Sequence, residues 1–407
     1  VNAKEDGVGL IITCDNGIAA FDPVKKAKDL GMEVIVTDHH EVPYQMEEGK
    51  KRERLPLADA VVNPKQESCA YPYKQLCGAG VAFQLTRALY QMEGREDKDL
   101  EPLLCFLAIA TVCDVVDLTE ENRIFVREGL KRIDITENTG LRALLRAHNL
   151  EEAPVNSYHL GFVIGPCINA SGRLESAEKV LRLFLEKDMV TAEETAQELK
   201  ELNDQRKGMT NEGVKEALDQ IEQNGYGEDK VLVIYLPDCH ESIAGIIAGR
   251  IKDKVHRPVF VLTKGREGIK GSGRSIEGYH MYDELCKCRN LLTRFGGHRL
   301  AAGLSLPEEN IFFLRKALND QTTLTERELT EKIVIDMQLP LCEVTESFIK
   351  ELSLLEPFGK GNTKPVFAQR KLSLLRGRLL GKHQNVLKLE VMDEDHTIME
   401  AVFFGEM

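Results

Sequence analysis

The chain has 407 residues, 43% of them hydrophobic, ten cysteines and a formal net charge of −13. Two or three domains, each burying its own core, fit that length, while no apolar run reaches the ~18 residues of a membrane span and no secretory leader pattern opens the sequence. The acidic balance excludes binding to a polyanion through a uniformly basic surface, and is compatible with a carboxylate-rich metal site beside a local basic strip.

Three apolar runs occupy the first 65 positions: "GLIITCD" ending at Asp15, "EVIVTDHH" ending at Asp38, His39 and His40, and "ADAVVNP" with Asn63 near its end. Between the first two, Asp22 as N-cap, Pro23 at the first helical position and Gly31 as the stop predict a helix, and hence a βαβ unit. Uninterrupted apolar strands predict a parallel sheet covered on both faces. Ligands of such sheets bind beyond the carboxyl ends of the strands, so Asp15, Asp38, His39, His40 and Asn63 are expected to converge. Further along, "GAGVAFQLTRALYQ" reads as a helix entered through glycines, "LEPLLCFLAIATVCDVVDL" as a buried helix running into Asp114, and positions 122–149 as helical. "NASGRLESA" reads as a small-residue turn before a helix, and 192–223 as a charged amphipathic connecting helix with a solvated polar face.

A second α/β stretch follows. "KVLVIYLP" and "RPVFVLTK" are buried strands, and the helix between them, "SIAGIIAGRIKDKV", is expected to be capped by Ser242. "GIKGSGRSI" and "FGGHRLAAGLSL" supply glycine-punctuated turns and strands. After Arg327 short strands and turns predict a β-rich module. The predicted organisation is α/β, with a parallel-sheet domain at 1–190, the connecting helix at 191–225, a second α/β domain at 226–325 and the β-rich module at 326–407. The cysteines are scattered, several of them (Cys105, Cys113, Cys167) inside apolar runs, and the Cys286/Cys288 pair lacks the CxxC zinc spacing. Reduced thiols in a cytoplasmic protein are expected.

Carboxylate with imidazole suits Mn²⁺, Zn²⁺ or Fe²⁺. Asp38 alone would be explained as a turn cap, but with "TCDNGI" on the adjacent strand and Asp114 at the end of a buried helix a metal centre is the better reading, because clustered carboxylates repel unless a cation lies among them. Two divalent ions about 3.5–4 Å apart are the usual device for phosphoester hydrolysis. In "NASGRLESA", helix-terminal amides with Arg173 are read equally well as an anion site or, through Gly172, as a simple turn. In "GSGRS" and "FGGHRLAAG", Ser272, Ser275, Arg274 and His298 are candidate phosphate ligands, within a basic strip that includes Lys270, Arg294 and Arg299, although standing alone these segments read better as a tight turn with a solvated charged face.

Taken in order, "ITCDNGI", "VIVTDHHEVP", "VVNPKQESCAYPYKQLCGAGVAFQL", "ATVCDVVDL", "NASGRLESA", "GSGRS", "FGGHRLAAG" and "LEPFGKGNTKPVF" resemble the DHH phosphoesterase superfamily and, within it, the RecJ-type single-stranded-DNA exonucleases. The resemblance covers nearly the whole chain. It implies a DHH domain, a DHH-associated domain, a C-terminal OB-like module and two Mn²⁺ or Mg²⁺ ions, with 5′ to 3′ degradation of single-stranded DNA in recombination and repair. A helicase and a single-strand-binding protein are the implied partners. It further implies that Asp15 bridges the metals, His39 and Asp114 complete one ion's shell, Asp38 supports the site as a catalytic residue and His40 contacts the scissile phosphate. By the same resemblance, Arg173 holds the nucleotide backbone, Ser272 and Arg274 grip the terminal 5′ phosphate, Gly296, Gly297 and His298 contact DNA, and the OB-like region guides the strand.

The family's first motif, an aspartate-rich DxD strand, has no counterpart after Val1. The expectation is a fragment cut at both ends, with little Mn²⁺-dependent nuclease activity until that strand is restored. Two other readings compete: an oligoribonuclease or cyclic-dinucleotide phosphodiesterase of the same superfamily, which the β-module and "CGAGVAF" argue against, and an inactive replication scaffold, which the retained acidic and imidazole groups argue against.

Overall fold

The computed structural model describes residues 1–47, 49–265, 268–381 and 385–404. They divide into two compact units, one comprising Val1–Glu137, Leu150–Gly165 and the stretch from Val334 onward, the other Asn138–Asn149 with Pro166–Ile333. The expected chain ending inside a β segment falls partly outside the described residues, since the last strand is described to Phe404.

In the first unit the strands Leu10–Ile12, Glu33–Thr37 and Ala60–Val62 form a parallel sheet with Glu33–Thr37 in the centre. Val34 and Val36 are buried against Val24 and Ala27, the apolar face of the helix Phe21–Asp29, and against Met32 just beyond its end. Coverage on both faces was expected of all three strands; Leu10 and Ile12 are instead 43% and 55% exposed. They belong to a three-residue strand at the sheet edge, which one helix cannot cover. The helix starts at Phe21 with Ala20 as cap, so Asp22 is not the N-cap; Pro23 still lies in the first turn, where a missing N–H costs nothing.

Behind the sheet lie the helices Gly78–Met92, Leu104–Cys113 and Glu120–Ile133. The helical stretch expected at 122–149 is broken. Asn138 caps a new helix, Thr139–Ala147, by accepting from the Leu141 N–H, and this helix belongs to the second unit. The C-terminal part of the first unit carries the helix Glu346–Ser353 and an antiparallel meander of Ser373–Leu380, Val386–Met392 and Ile398–Phe404.

The second unit is built on a mixed sheet in the order Leu232–Tyr235, Val259–Gly265, Gly268–Arg274, Ala301–Leu306, Arg294–Gly297, the first pair parallel and the others antiparallel. Here continuous apolar strands are covered on both faces. Val233, Phe260 and Leu262 pack towards Leu314 and Leu318, while Leu232, Ile234, Val259 and Val261 pack towards Ala244 and Ile247. The long helix, Met189–Gln223, has the expected exposed polar face, and opposite it Ala192, Ala196, Leu199, Asn203, Arg206 and Thr210 form a buried stripe at alternating spacings of four and three, continued by Val214 and Ala217 in this core. The helix Glu241–Val255 is capped by His240, whose Nδ1 accepts from the Ser242 N–H, in place of the expected Ser242. Among the described residues no helix is long and apolar enough to cross a membrane.

Candidate metal centre

The carboxyl edge of the parallel sheet is organised by its turns. After Ile12, Thr13 ties the first strand to the second: Thr37 N–H donates to Thr13 Oγ1 (3.1 Å) and Thr37 Oγ1 donates to the Thr13 carbonyl (2.6 Å). Thr13 Oγ1 in turn donates to the Asn16 carbonyl, closing a tight loop around Asp15. Asp15 sits at φ +64°, a left-handed conformation that Asp tolerates better than most residues, and Gly17 follows at φ +113°. The loop packs onto the start of the helix Gly78–Met92 so closely that a Cβ on Gly78 would overlap the Asp15 side chain. That glycine, inside the quoted "CGAGVAF", was not recognised from sequence as the seat of Asp15.

Asp38 ends the central strand and is 1% exposed. Its Oδ2 accepts from the Ile18 N–H (2.9 Å), and its Oδ1 accepts from the His39 N–H (2.7 Å), the His40 N–H (3.1 Å) and His40 Nδ1 (2.7 Å). Burial alone would raise its carboxyl pKa; these bonds, first from Ile18 and then from His40 and His39, outweigh burial and hold it below the ordinary range. Both oxygens are therefore occupied. Asp38 orients the two histidines, in keeping with the supporting role expected of it. With Asp38 ionised, His40 Nδ1 carries the proton and Nε2 is left free for a ligand.

His39 is buried, and its Nε2 lies 3.0 Å from Asp15 Oδ1 and 3.3 Å from Asp114 Oδ2, yet makes no hydrogen bond. Asp114 caps the C-terminal end of the helix Leu104–Cys113. Burial raises the Asp114 carboxyl pKa, opposed by His39 and reinforced by the Asp15 charge. Asp15, His39 and His40 each offer a donor atom within 4.8 Å of the others. An unbonded imidazole nitrogen facing two carboxylate oxygens fits a divalent cation, which would satisfy all three. Asn63 does not join this set; its Nδ2 donates to the His40 carbonyl (2.9 Å) and braces the loop from behind.

In the second unit a cavity of about 660 Å³ is lined by Arg173, Ser272, Arg294 and Gly296, among others. Arg173 lies in the last turn of the helix Gly165–Leu174, so "NASGRL" is helix and not a turn before one. The amides expected to bind an anion there are used in the helix, and the guanidinium alone remains, with Nη1 donating to the Ser242 carbonyl at 2.8 Å. Arg274 stands behind Ser272, its Nη1 3.2 Å from Ser272 Oγ. Burial pulls the Arg274 guanidinium below its ordinary pKa, and the Arg173 charge adds to the effect. Gly245 makes the approach possible, since a Cβ there would stand 2.7 Å from Ser272 Oγ and 2.9 Å from Arg274 Nη2.

Ser275 is not available to a phosphate: it is buried, and its Oγ donates to the Tyr279 carbonyl. Lys270 is paired with Glu241 at 2.7 Å, and Arg299 donates to the Glu277 carbonyl. Gly297 and His298 lie exposed at the turn beyond the cavity lining, where Gly297 adopts φ +150° and His298 Nδ1 accepts from the Leu300 N–H.

Residues 4–111 match the family model described as DHH family, N-terminal domain; residues 228–323 match the DHHA1 domain and residues 335–407 the RecJ OB domain. The chain is 37% identical over 395 residues to the single-stranded-DNA-specific exonuclease RecJ of Bacillus subtilis (strain 168), covering 96% of this chain and 48% of that protein. It is also 37% identical over 426 residues to the protein of that name from Haemophilus influenzae, covering 99% of this chain and 72% of the relative. The crystal structure of RecJ in complex with Mn²⁺ from Thermus thermophilus superposes with a TM-score of 0.82 at 29% identity, covering 100% of this chain and 58% of that one. The chain therefore spans about half the length of the first relative and nearly three quarters of the second. On the identity and coverage of these relatives, the chain belongs to the RecJ family of single-stranded-DNA-specific exonucleases.

Proposed function

We propose that the chain carries the core of a 5′ to 3′ exonuclease that hydrolyses phosphodiester bonds of single-stranded DNA in recombination and repair. The observation that carries this reading is His39 Nε2, buried and without a hydrogen bond between the Asp15 and Asp114 carboxylates. Asp15, His39 and Asp114 would hold divalent cations, Mn²⁺ or Mg²⁺. When bound, such ions supply Lewis-acid polarisation of a phosphoryl oxygen and acidify a water molecule.

The chain's own part is positioning. Asp38 fixes both imidazoles, leaving His39 Nε2 as a ligand and His40 Nε2 to face the scissile phosphate. The left-handed turn holds Asp15 in place before any ligand arrives, so little reorganisation is required on binding. In the second unit, Arg173, Ser272 and Arg274 would take a terminal 5′ phosphate, two guanidiniums and a hydroxyl being suited to a phosphate's oxygens. Gly296, Gly297 and His298 would contact the strand. A helicase and a single-strand-binding protein remain the partners that the family likeness suggests.

The test compares 5′-phosphorylated single-stranded DNA with dinucleotides, in binding by this chain and in Mn²⁺-dependent hydrolysis by a form extended with the DxD strand. Preference for the long strand, with mononucleotides released from its 5′ end, is the expected result. Preference for the dinucleotide would transfer the chain to the short-substrate phosphodiesterases.

A further inference from the structure

A groove of about 1270 Å³ opens in the first unit between its helices and the segment 353–364. Its wall includes Cys113 and Val115, the chain neighbours of Asp114, so the groove lies against the helix end that carries Asp114, although Asp114 itself does not line it. Tyr158 and Phe162 project into it. They are 61% and 68% exposed, and their rings stack with centroids 4.9 Å apart and planes inclined by 25°. The two residues lie four apart on a helical run whose second half, Leu160–Ile164, is a π-type turn, a feature that recurs at functional sites. Residues 112–227 lie between the family-model matches, so this platform falls outside the domains recognised there.

The groove's charge runs against that of the chain. Arg127, Lys131, Lys360 and Lys364 line it with one carboxylate, Glu356, in a protein of net charge −13. Arg127 and Lys131 share Glu128, and Lys360 meets Asp117 at 3.1 Å. These pairs are solvent-exposed and weak, and a phosphodiester can take the place of either carboxylate. The facing wall is pinned: Ser157 Oγ donates to the Phe358 carbonyl (2.8 Å), the Leu118 N–H to the Lys360 carbonyl (2.7 Å), and Arg123 to the carbonyls of Leu354 and Glu356. Gly359 permits this contact, as a Cβ there would stand 2.6 Å from Leu118.

Exposed stacked rings with cations along the same groove are the two elements of a single-strand track: every base has a π-face to stack, and the backbone is followed by charge. We propose that this groove conducts single-stranded DNA to the metal centre, with Tyr158 and Phe162 stacking on a base and Lys360 and Lys364 holding the flanking phosphates. The proposal rests on the reading of the chain as a single-strand exonuclease and adds the residues that would grip the strand downstream of the reacting bond.

The experiment places 5-iododeoxyuridine at successive positions of a single strand, irradiates the complex in EDTA so that nothing is cleaved, and maps the crosslinked peptides. Affinity is measured in parallel for the wild type, the double variant Tyr158→Ala with Phe162→Ala, the conservative Phe162→Tyr, and Lys364→Ala. Crosslinks at Tyr158 or Phe162 are expected. The double variant should bind roughly tenfold or more weakly, while Phe162→Tyr keeps its affinity because the ring is retained. Lys364→Ala should lower the salt slope by about 0.7, the amount for one phosphate of a single strand. Wild-type binding with crosslinks elsewhere and unchanged affinity in the double variant would overturn the proposal and leave the exonuclease reading intact. Wild-type binding no tighter to a long strand than to a dinucleotide would overturn both.

Discussion

In the first unit carboxylates converge on an imidazole; in the second, guanidiniums converge on a hydroxyl. The acidic site is set by backbone. Asp38 is held by main-chain N–H groups at a strand end, and Asp15 by a left-handed turn. The basic cavity is set by packing, because Ser272 and Arg274 reach their places only by lying against Gly245 on a neighbouring helix. Each leaves an uncompensated excess of one sign, which a cation or an anion would relieve. The contrast teaches that the same requirement, an unsatisfied charge held still, can be met by turn geometry or by helix-to-strand contact, and the two should fail differently under mutation.

The largest separation is expected from removing a carboxylate of the acidic site. Asp15→Asn or Asp114→Asn should weaken Mn²⁺ binding by at least about 100-fold, exceeding the usual range for outer-shell changes. Binding of a 5′-phosphorylated nucleotide in EDTA should stay as it was. Titration calorimetry reads both. Equal loss of the two ligands would abolish the distinction between the sites.

Asp38→Asn sharpens the same contrast from behind the ligands. The amide would turn an N–H group towards donors that Asp38 now accepts from, with a loss of roughly 10- to 100-fold in Mn²⁺ affinity. A stability decrease of about 1–3 kcal/mol should accompany it in denaturant titration, because buried N–H groups lose their acceptor. Full metal affinity with lowered stability would make Asp38 a purely structural residue.

A smaller and reciprocal pair comes from the glycines. Gly78→Ala should displace Asp15 and reduce Mn²⁺ affinity, while Gly245→Ala should displace Ser272 and Arg274 and reduce 5′-phosphate affinity. Each is expected to cost its own ligand about tenfold, of the order of one strong charge-assisted bond, and to spare the other. Gly208 supplies the control. It lies inside the helix Met189–Gln223 with nothing within 4 Å of a Cβ, so Gly208→Ala should stabilise the protein by about 0.5–1 kcal/mol without altering either affinity.

The same division explains what could be read in the sequence. The strands ending at Asp15, Asp38 and Asn63 were legible because continuous apolar runs stopped by polar residues specify both a parallel sheet and its ligand-bearing edge. Asp114 was legible as the end of an apolar helix. The helix at Arg173 was misread because Asn, Ser and Gly favour turns, whereas here Ser171 Oγ donates to the Ile168 carbonyl and burial of Ala170 and Ser171 overrides the local preference. Ser275 has the composition of a phosphate ligand, and only the fold reveals its bond to the Tyr279 carbonyl. Gly78 and Gly245 had no legible signal as spacers, since the atoms they make room for come from distant positions. Tyr158 and Phe162 carried one, two aromatics four apart, that core packing would have explained equally well.

Pulsed electron paramagnetic resonance of bound Mn²⁺ tests the central claim most directly. With Asp15, His39 and Asp114 around the ion, the spectrum should show coupling to an imidazole nitrogen, and His39→Gln should remove or sharply reduce it while Mn²⁺ still binds weakly through the carboxylates. A Mn²⁺ signal without nitrogen coupling in the wild type, or one left unchanged by His39→Gln, would contradict the assignment of this sheet edge as the metal centre.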